Sequence, residues 1–318
     1  MKETNKPSLL ILCPCFNEMQ TIESSIDTLL QTLADLGEKD LINYSLSRIL
    51  VVDDGSSDES WSILKNINAV ESKLSCIKFS RNFGHQNALL AGLMNSKEDI
   101  VVSIDIDLQD DVNVIEKMVK NYLNGFEIVY GVKKDRSVDG AAKKLLAKIF
   151  YSFLSIVGVE VIKNHADFRL LSRKAISTLK DYKEYNLFLR GMIPMLGYKN
   201  TIIEYDLEKR RHGSAKYSHK KSLGLAINGI TSFSLIPLRL IFVMGSIVAL
   251  LSIIIAIYYL YQSIFNENII PGWASTILPI YFLGSIQLIA LGVISEYIGK
   301  LFLESKKRPN YTIEETLK

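Results

Sequence analysis

The chain has 318 residues, of which 48% are hydrophobic, and its formal net charge is +3. This length accommodates one large catalytic domain and a smaller unit, and the weak net charge excludes the overall basic field typical of proteins that bind nucleic acid. The three cysteines are too few for a disulfide framework and indicate buried thiols in a reducing compartment.

Short apolar runs alternate with helical patterns through the first 131 residues. Each run of about five residues predicts a strand, and the apolar positions at helical spacing between them predict helices. This alternation is typical of an α/β domain with a largely parallel sheet, whose ligands bind at the carboxyl ends of the strands. The predicted strands are 9–13, 49–52, 76–79, 100–104 and 127–131.

The most informative stretch is Val101–Gln109, which predicts a buried strand ending in an Asp-x-Asp turn. Two carboxylates so close together are unfavourable unless a cation or a set of donors holds them. Mg²⁺ and Mn²⁺ prefer oxygen ligands and often retain phosphate oxygens in their shell. We therefore predict that Asp107 and Gln109 serve a metal site while Asp105 faces a ribose or base; a solvated turn is the alternative.

Other polar residues also follow predicted strands. Asp53 opens an acidic turn that suits hydrogen bonds from a nucleoside, although a simple capping turn has the same pattern. Arg81 is a candidate contact for a nucleotide. For His85 we favour a structural hydrogen bond over catalysis.

Two later segments combine charge with apolar neighbours. Asp167 and Arg169 lie two positions apart, and their plain interpretation is an intrahelical ion pair followed by a helix cap. The loop at 209–217 contains Arg210 and Lys216, which suit a diphosphate leaving group or a lipid phosphate. The alternative for that loop is a juxtamembrane basic patch that attracts anionic lipid.

The last third of the chain predicts a membrane region. Residues 240–261 and 269–295 contain no charged side chain, and each run is long enough to cross a bilayer. We predict two transmembrane helices, at about 237–262 and 276–302. Basic residues flank the pair on both outer sides, which predicts that both termini and the catalytic domain are cytoplasmic, at the inner membrane.

These patterns give a domain plan. Residues 1–225 form the catalytic domain, 226–303 the membrane region and 304–318 a cytoplasmic tail. A basic amphipathic pattern at 141–157 predicts an interface helix in the plane of the lipid headgroups, with a packed helix as an equal alternative.

Taken together, the motifs resemble the family-two glycosyltransferases that act on polyprenyl phosphates, with the bactoprenol glucosyltransferase group as the nearest match and dolichol-phosphate mannose synthase as a more distant one. The motifs run through nearly the whole chain in the family order. They are PCFNE (14–18), VDDGSSD (52–58), RNFGHQNALLAGL (81–93), DIDLQD (105–110), DFRLLSR (167–173), RRHGSAKY (210–217), ITSFSLIPLR (230–239) and EYIGKLFLESKKRPNY (296–311).

The resemblance implies a GT-A-type fold, a nucleotide-sugar donor, a divalent metal, a two-helix anchor and, by similarity, a tetramer. It assigns roles by position: Asp167 as base or orienting group, Arg210 and Lys216 as the basic loop, and Arg169 as a lipid-phosphate contact. The nucleotide pocket would include Pro14, Asn17, Glu18, Asp53, Arg81 and Asp105. The chain departs from the family pattern at Ile106, Asp111, Val112 and Ala215.

The function these features favour is inverting transfer of a hexosyl group from a UDP-sugar, with UDP-glucose as the default, to undecaprenyl phosphate at the cytoplasmic face of the membrane. N-acetylhexosamine or another sugar could replace glucose in the same reaction. A processive polysaccharide synthase and a non-catalytic membrane scaffold are the rival functions. The synthase would carry a Gln-x-x-Arg-Trp motif, which this chain lacks.

Overall fold

The computed structural model describes residues 6–134, 165–182, 184, 187–206, 236–265 and 273–318. Strands and helices alternate through the first part of the chain, as the apolar runs predict. In chain order the elements are β1 (Leu9–Cys15), α1 (Ile22–Glu38), β2 (Arg48–Asp53), α2 (Ser60–Asn68), β3 (Leu74–Phe79), α3 (His85–Asn95), β4 (Ile100–Ser103), α4 (Val114–Leu123), β5 (Ile128–Lys133), β6 (His165–Ser172), α5 (Arg173–Leu179), α6 (Leu189–Met195), β7 (Asn200–Tyr205), α7 (Ile236–Phe265), α8 (Trp273–Ser305) and β8 (Ile313–Leu317).

The described strands form one eight-stranded sheet in the order β7-β5-β6-β4-β1-β2-β3-β8. The pairs β1–β2, β1–β4, β2–β3 and β5–β7 are parallel, and β3–β8, β4–β6 and β5–β6 are antiparallel. The five predicted strands are confirmed, with ends that differ by at most two residues. The mostly parallel sheet with flanking helices confirms the predicted fold class.

Both faces of the sheet are covered by helices, and its central strands are buried and mostly apolar. In β1, Leu9 and Ile11 pack on the face that α1, α2 and α4 cover, whereas Leu10 and Leu12 pack on the face that α3, α5 and α6 cover. Alternating side chains of one strand point to opposite faces, so a continuous apolar run is what two covered faces require. The three cysteines are free and buried, as predicted.

One prediction about local structure is wrong. The segment with Asp167 and Arg169 is part of strand β6, not a helix, so their ion pair spans alternate positions on one side of a strand. The predicted cap does exist: the Ser172 hydroxyl accepts a hydrogen bond from the Ala175 N–H at 3.1 Å and begins α5. Because β6 runs antiparallel to β4, its early residues lie beside the end of β4, where Ser103 is in register with Arg169.

The C-terminal residues complete the sheet, which the sequence did not predict. Strand β8 pairs with β3, and the Ser80 N–H donates to the Thr312 carbonyl at 3.1 Å. Tyr311 stacks on Phe79 with 5.1 Å between ring centroids, and the Trp61 indole donates to Glu315 at 3.0 Å. Part of the segment predicted to be a cytoplasmic tail, 304–318, therefore forms a strand of the sheet.

The long helices α7 and α8 coincide with the two predicted apolar segments and contact each other. Within the described residues, Phe282–Ser305 is long and apolar enough to cross a membrane by length and composition. The predicted interface helix at 141–157 lies outside the described residues.

Deleting residues 311–318 tests whether β8 is structural. The deletion leaves the backbone groups of β3 unpaired and exposes Phe79, so we expect aggregation and a lower unfolding midpoint. A loss of about 2 kcal/mol would lower the midpoint by roughly 4–8 °C. The control Glu314→Gln keeps the strand and removes only the exposed ion pair with Lys78, which contributes about 1 kcal/mol or less. An unchanged midpoint in the truncated chain would show that β8 contributes nothing to the fold.

Candidate functional site

Four strands end at one edge of the sheet and carry most of the predicted site residues there. The parallel strands β1, β2, β3 and β4 present their carboxyl ends at this edge, and Cys15 of β1 is in register with Asp53 of β2. Antiparallel β6 adds Asp167 at the same edge, since Ser103 is in register with Arg169 and its hydroxyl donates to the Asp167 carbonyl. The topology thus brings Cys15, Asp53, Ser103 and Asp167 to the same edge of the sheet.

The loops after β1 and β2 hold each other. The Asn17 N–H donates to the Ser56 hydroxyl at 2.9 Å, and the Asn17 side-chain oxygen accepts from the Ser57 N–H at 2.8 Å. The Glu18 N–H donates to the Ser60 hydroxyl at 3.0 Å. Pro14 lies within β1. Of the residues predicted to line the nucleotide pocket, Asn17 and Glu18 therefore stand on a loop that is cross-linked to the loop after β2.

Asp53 and Asp54 perform different tasks. Asp53 is fully buried and accepts from the backbone and hydroxyl of Ser56. Asp54 accepts from the Phe83 N–H at 2.7 Å and from the Gly84 N–H at 2.9 Å, and so ties the loop after β3 to the loop after β2. Burial raises the pKa of both carboxyls, and these hydrogen bonds oppose the rise.

The Asp-x-Asp turn forms as predicted. The Leu108 N–H donates to the Asp105 carbonyl at 3.1 Å, and Leu108 has a φ of 45°. The Gln109 amide donates to Oδ2 of Asp107, whereas Oδ1 of Asp107 is buried without a hydrogen-bond partner. A buried carboxylate oxygen normally has a partner. A cation is the natural partner for this oxygen, so the residues present fit a divalent metal ion.

Metal binding by protein side chains alone is not indicated at this turn. Within the residues that the structure describes, no group of three or more His, Cys, Asp or Glu side chains is arranged to hold a metal ion. This agrees with the preference of Mg²⁺ for one or two carboxylates together with substrate phosphates and water. Nearby Asp110 is engaged elsewhere, since it accepts from the Tyr205 hydroxyl at 2.6 Å and pairs with Lys133 at 3.0 Å.

Asp167 is the centre of a charged cluster that we call the Asp167 cluster, consisting of Asp167, Arg169, His85, Gln86 and Arg190. One carboxylate oxygen accepts from Arg169 and, at 3.2 Å, from Nε of Arg190. The other accepts from Nη2 of Arg190 at 2.9 Å and from Gln86 at 3.3 Å, and it lies 3.2 Å from Nε2 of His85. The cluster joins β6 to the first residues of α3 and to α6.

The Asp167 cluster fixes the charge of its carboxylate. Burial works against ionisation of Asp167, but Arg169, His85 and Arg190 outweigh it and hold the pKa well below its usual value. Asp167 is 6% exposed and Arg169 only 2%. A carboxylate that is fully engaged and hard to protonate is a poor general base but a good anchor for cations.

His85 connects this cluster to the Asp-x-Asp turn. Its Nε2 lies 3.2 Å from Asp167 and 3.8 Å from Asp105. The structural hydrogen bond that we favoured for His85 is therefore present. Because the imidazole faces both carboxylates, it links the turn after β4 to β6.

Two residues predicted to contact substrate, Arg81 and Arg169, contact other parts of the protein in the structure. The Arg81 guanidinium stacks on the Phe83 ring at 4.0 Å and donates to the Asn82 carbonyl at 3.2 Å, so its contacts in the structure are local. Arg169, predicted to bind a lipid phosphate, is buried beneath Asp167 instead. Arg210 and Lys216 lie outside the described residues.

Sequence reasoning missed Arg190, Gln86 and Asp54. The sequence contains one indication of a special role for Arg190: it is the only charged residue between Leu187 and Tyr198. Gln86 belongs to a quoted motif but received no role, although its side chain also accepts from the Leu189 N–H at 3.1 Å and so joins α3 to α6. Asp54 was treated only as part of an acidic turn.

Two protein families match this chain. Glycosyl transferase family 2 matches residues 10–180, and the GtrB C-terminal hairpin matches residues 236–301. The first match covers the sheet as far as α5, with the Asp-x-Asp turn and Asp167. The second covers nearly all of α7 and α8.

Similar curated proteins align over almost the full length. The chain is 43% identical over 316 residues to an uncharacterized glycosyltransferase, YkoT, of Bacillus subtilis, covering 99% of this chain and 93% of YkoT. It is 36% identical to a prophage bactoprenol glucosyl transferase homolog of Escherichia coli, covering 97% and 99% of the two chains. It is 35% identical to the bactoprenol glucosyl transferase of Shigella phage SfX, covering 96% and 98%.

The close approach of the loops after β2 and β3 can be tested at Gly55. Its φ is +68°, and a Cβ there would lie 2.4 Å from the Arg81 carbonyl carbon. Gly125 has a comparable φ of +86°, and a Cβ on it would meet nothing within 4 Å, so it is a matched control for backbone strain alone. We expect Gly125→Ala to lower the free energy of unfolding by about 1 kcal/mol and Gly55→Ala to lower it by at least about 2 kcal/mol more. Equal losses in denaturant titrations would refute the steric argument.

Proposed function

The chain belongs to glycosyl transferase family 2 and has a GT-A-type fold, and from this premise we propose that it transfers a hexosyl group from a UDP-sugar to undecaprenyl phosphate. UDP-glucose is the donor we favour, because two near-full-length relatives are named for bactoprenol glucosyl transfer. The observation that carries the proposal is the unpartnered buried oxygen of Asp107, at the strand edge where the Asp167 cluster also lies.

For the donor, we assign the cross-linked loops to the nucleoside. Asn17, Glu18 and Asp53 stand at the ends of β1 and β2, with Pro14 inside β1 and Asp105 across the cleft. Asp53 is fully buried and accepts from Ser56, and it would have to open this contact to accept from a base or ribose edge. Arg81 remains a proposed contact, and it would have to leave Phe83 to reach the nucleotide.

For the metal, Asp107 is the proposed ligand, and Gln109 orients it through the hydrogen bond to Oδ2. Mg²⁺ or Mn²⁺, when bound, would neutralise charge on the departing diphosphate. The role of the chain's own residues is to hold Oδ1 of Asp107 in a fixed direction. We propose that Arg210 and Lys216 add positive charge over the same diphosphate.

For the acceptor, positioning matters more than deprotonation. A phosphate monoester is anionic near neutral pH, so a base is not needed to create the nucleophile. This agrees with the depressed pKa of Asp167, which we assign to orientation and electrostatics. A single displacement would invert the anomeric centre and give a β-linked product from an α-linked donor.

For the membrane, we propose that α7 and α8 cross the inner membrane and that the sheet lies on its cytoplasmic side. Only seven residues separate Ser305 at the end of α8 from Ile313 at the start of β8. Seven residues reach about 25 Å at most. The end of α8 must therefore lie close to the sheet, which fits an anchor whose two ends are on the same side. Assembly as a tetramer stays a prediction.

The rival functions differ in product. N-acetylhexosamine in place of glucose would use the same residues, since pocket shape decides the sugar. A processive synthase would release a polymer, and a scaffold would bind donor without releasing UDP. The engaged Asp167 cluster and the free oxygen of Asp107 favour a working enzyme over a scaffold.

The first experiment supplies purified full-length protein in detergent with undecaprenyl phosphate and a panel of UDP-sugars. We expect UDP release that depends on the lipid phosphate, together with a single lipid-phosphate hexose by mass, formed fastest from UDP-glucose. Polymer would favour the synthase. Absence of lipid-dependent UDP release from every donor would refute the proposed function.

The metal assignment predicts that Asp107→Ala lowers kcat/KM by about 100-fold or more, because the cation loses its protein ligand and charge on the leaving group is less well stabilised. Activity should also need a higher Mn²⁺ concentration. Asp111→Asn is the matched control, since Asp111 is in the same loop but its carboxylate caps Asn113 at 2.9 Å. Full activity of Asp107→Ala would remove Asp107 from the site.

A further inference from the structure

The Asp167 cluster gathers three basic side chains around one buried carboxylate. Two guanidinium groups, from Arg169 and Arg190, contact the single carboxylate of Asp167, and His85 faces the same oxygen that Nη2 of Arg190 contacts. Asp105 lies 3.8 Å from His85, so a second carboxylate is close to the same cations. A guanidinium that a buried carboxylate holds through two donors, as Asp167 holds Arg190, has a fixed direction and is suited to phosphate recognition.

The two arginines differ in access. Arg169 is 2% exposed and is fixed on strand β6, so a substrate has no route to it without displacing Asp167. The Arg190 side chain is 36% exposed, although Asp167 holds it through both Nε and Nη2. Arg190 therefore combines a fixed orientation with access to solvent.

We infer that Arg190 binds a phosphate group of a substrate, and that Asp167 and Arg169 position it for this task. The inference rests on the proposed function and moves the phosphate contact from Arg169, where the sequence placed it, to a residue on α6. A guanidinium held on one edge by a carboxylate is already ordered, so less side-chain entropy is lost when it binds phosphate. Asp167 acts in this scheme as an anchor for Arg190.

Two substrate groups have the required chemistry: the phosphomonoester of the acceptor and the diphosphate of the donor. Asp107 and its metal ion, with the basic loop, already serve the donor diphosphate in the proposed function. The acceptor phosphate has no other assigned cation among the described residues. We therefore expect the acceptor to be the ligand of Arg190.

The test compares Arg190→Gln and Arg190→Lys with the wild-type full chain in detergent. Steady-state kinetics give KM separately for undecaprenyl phosphate and for UDP-glucose. Equilibrium binding of farnesyl phosphate, and of UDP with Mn²⁺, gives affinities that do not depend on turnover. Lys174→Gln is the control for loss of one positive charge, because Lys174 is an exposed residue that lies over the Tyr198 ring.

For Arg190→Gln we expect the KM for undecaprenyl phosphate and the Kd for farnesyl phosphate to rise about tenfold or more, which is the usual effect of losing a hydrogen bond to a charged group. The values for UDP-glucose and UDP should stay within about twofold. Arg190→Lys should recover only part of the affinity, because an ammonium group cannot hold Asp167 through two donors. Lys174→Gln should resemble wild type.

Each remaining outcome contradicts part of the inference or separates it from the proposed function. A rise confined to the KM for UDP-glucose and the Kd for UDP would assign Arg190 to the diphosphate and overturn the acceptor assignment. Unchanged affinities for both phosphates, with a lower kcat or a lower unfolding midpoint, would show that Arg190 is only structural and overturn the inference. If wild type binds farnesyl phosphate through Arg190 but transfers no sugar, the proposed function fails while this inference stands.

Discussion

The buried contact between Asp167 and its basic neighbours is the interaction on which the site depends. It joins an antiparallel strand, the first turn of α3 and the short helix α6 through one carboxylate. Breaking a buried ion pair by removing one partner typically costs about 3–5 kcal/mol, because the other charge is left uncompensated. The cluster therefore fixes where charge lies in the cleft before any substrate arrives, and preorganised charge usually contributes more to catalysis than any other single effect.

The carboxylates after β2 and β4 and the cations of the Asp167 cluster have different proposed roles. In the proposed function, the carboxylates at the ends of β2 and β4 would bind a nucleotide and its metal ion, and the cations of the Asp167 cluster lie beside them. His85 lies between the two sides, near both Asp105 and Asp167. An anionic donor and an anionic acceptor repel each other, and a site that transfers a sugar between them must supply positive charge for both. In the proposed function, a metal ion at Asp107 and the cations of the Asp167 cluster would supply that charge from two separate positions.

The sequence predicts the parts of this structure that depend on local patterns. Apolar runs placed five strands, because side chains buried on both faces need no alternation, and the Asp-x-Asp turn followed from residues within nine positions. What it could not show is which distant segments meet. Asp167 reaches the site only because β6 runs antiparallel to β4, and nothing in the local sequence encodes that direction. Arg190 becomes part of the site through α6, a seven-residue helix with weak sequence signals. Strand β8 is rich in charged residues because it forms an edge, and such a segment has the same composition as a solvated tail.

The pairing of β8 with β3 also has a consequence for how the protein is made. Cys76 is opposite Leu317, so one partner is synthesised before the two long apolar helices and the other after them. Throughout the intervening synthesis, including the long apolar helices, the outer side of β3 has no strand beside it. The sheet therefore gains β8 only after both helices have been made, so a chain interrupted before β8 retains an open edge that chaperones and proteases can recognise.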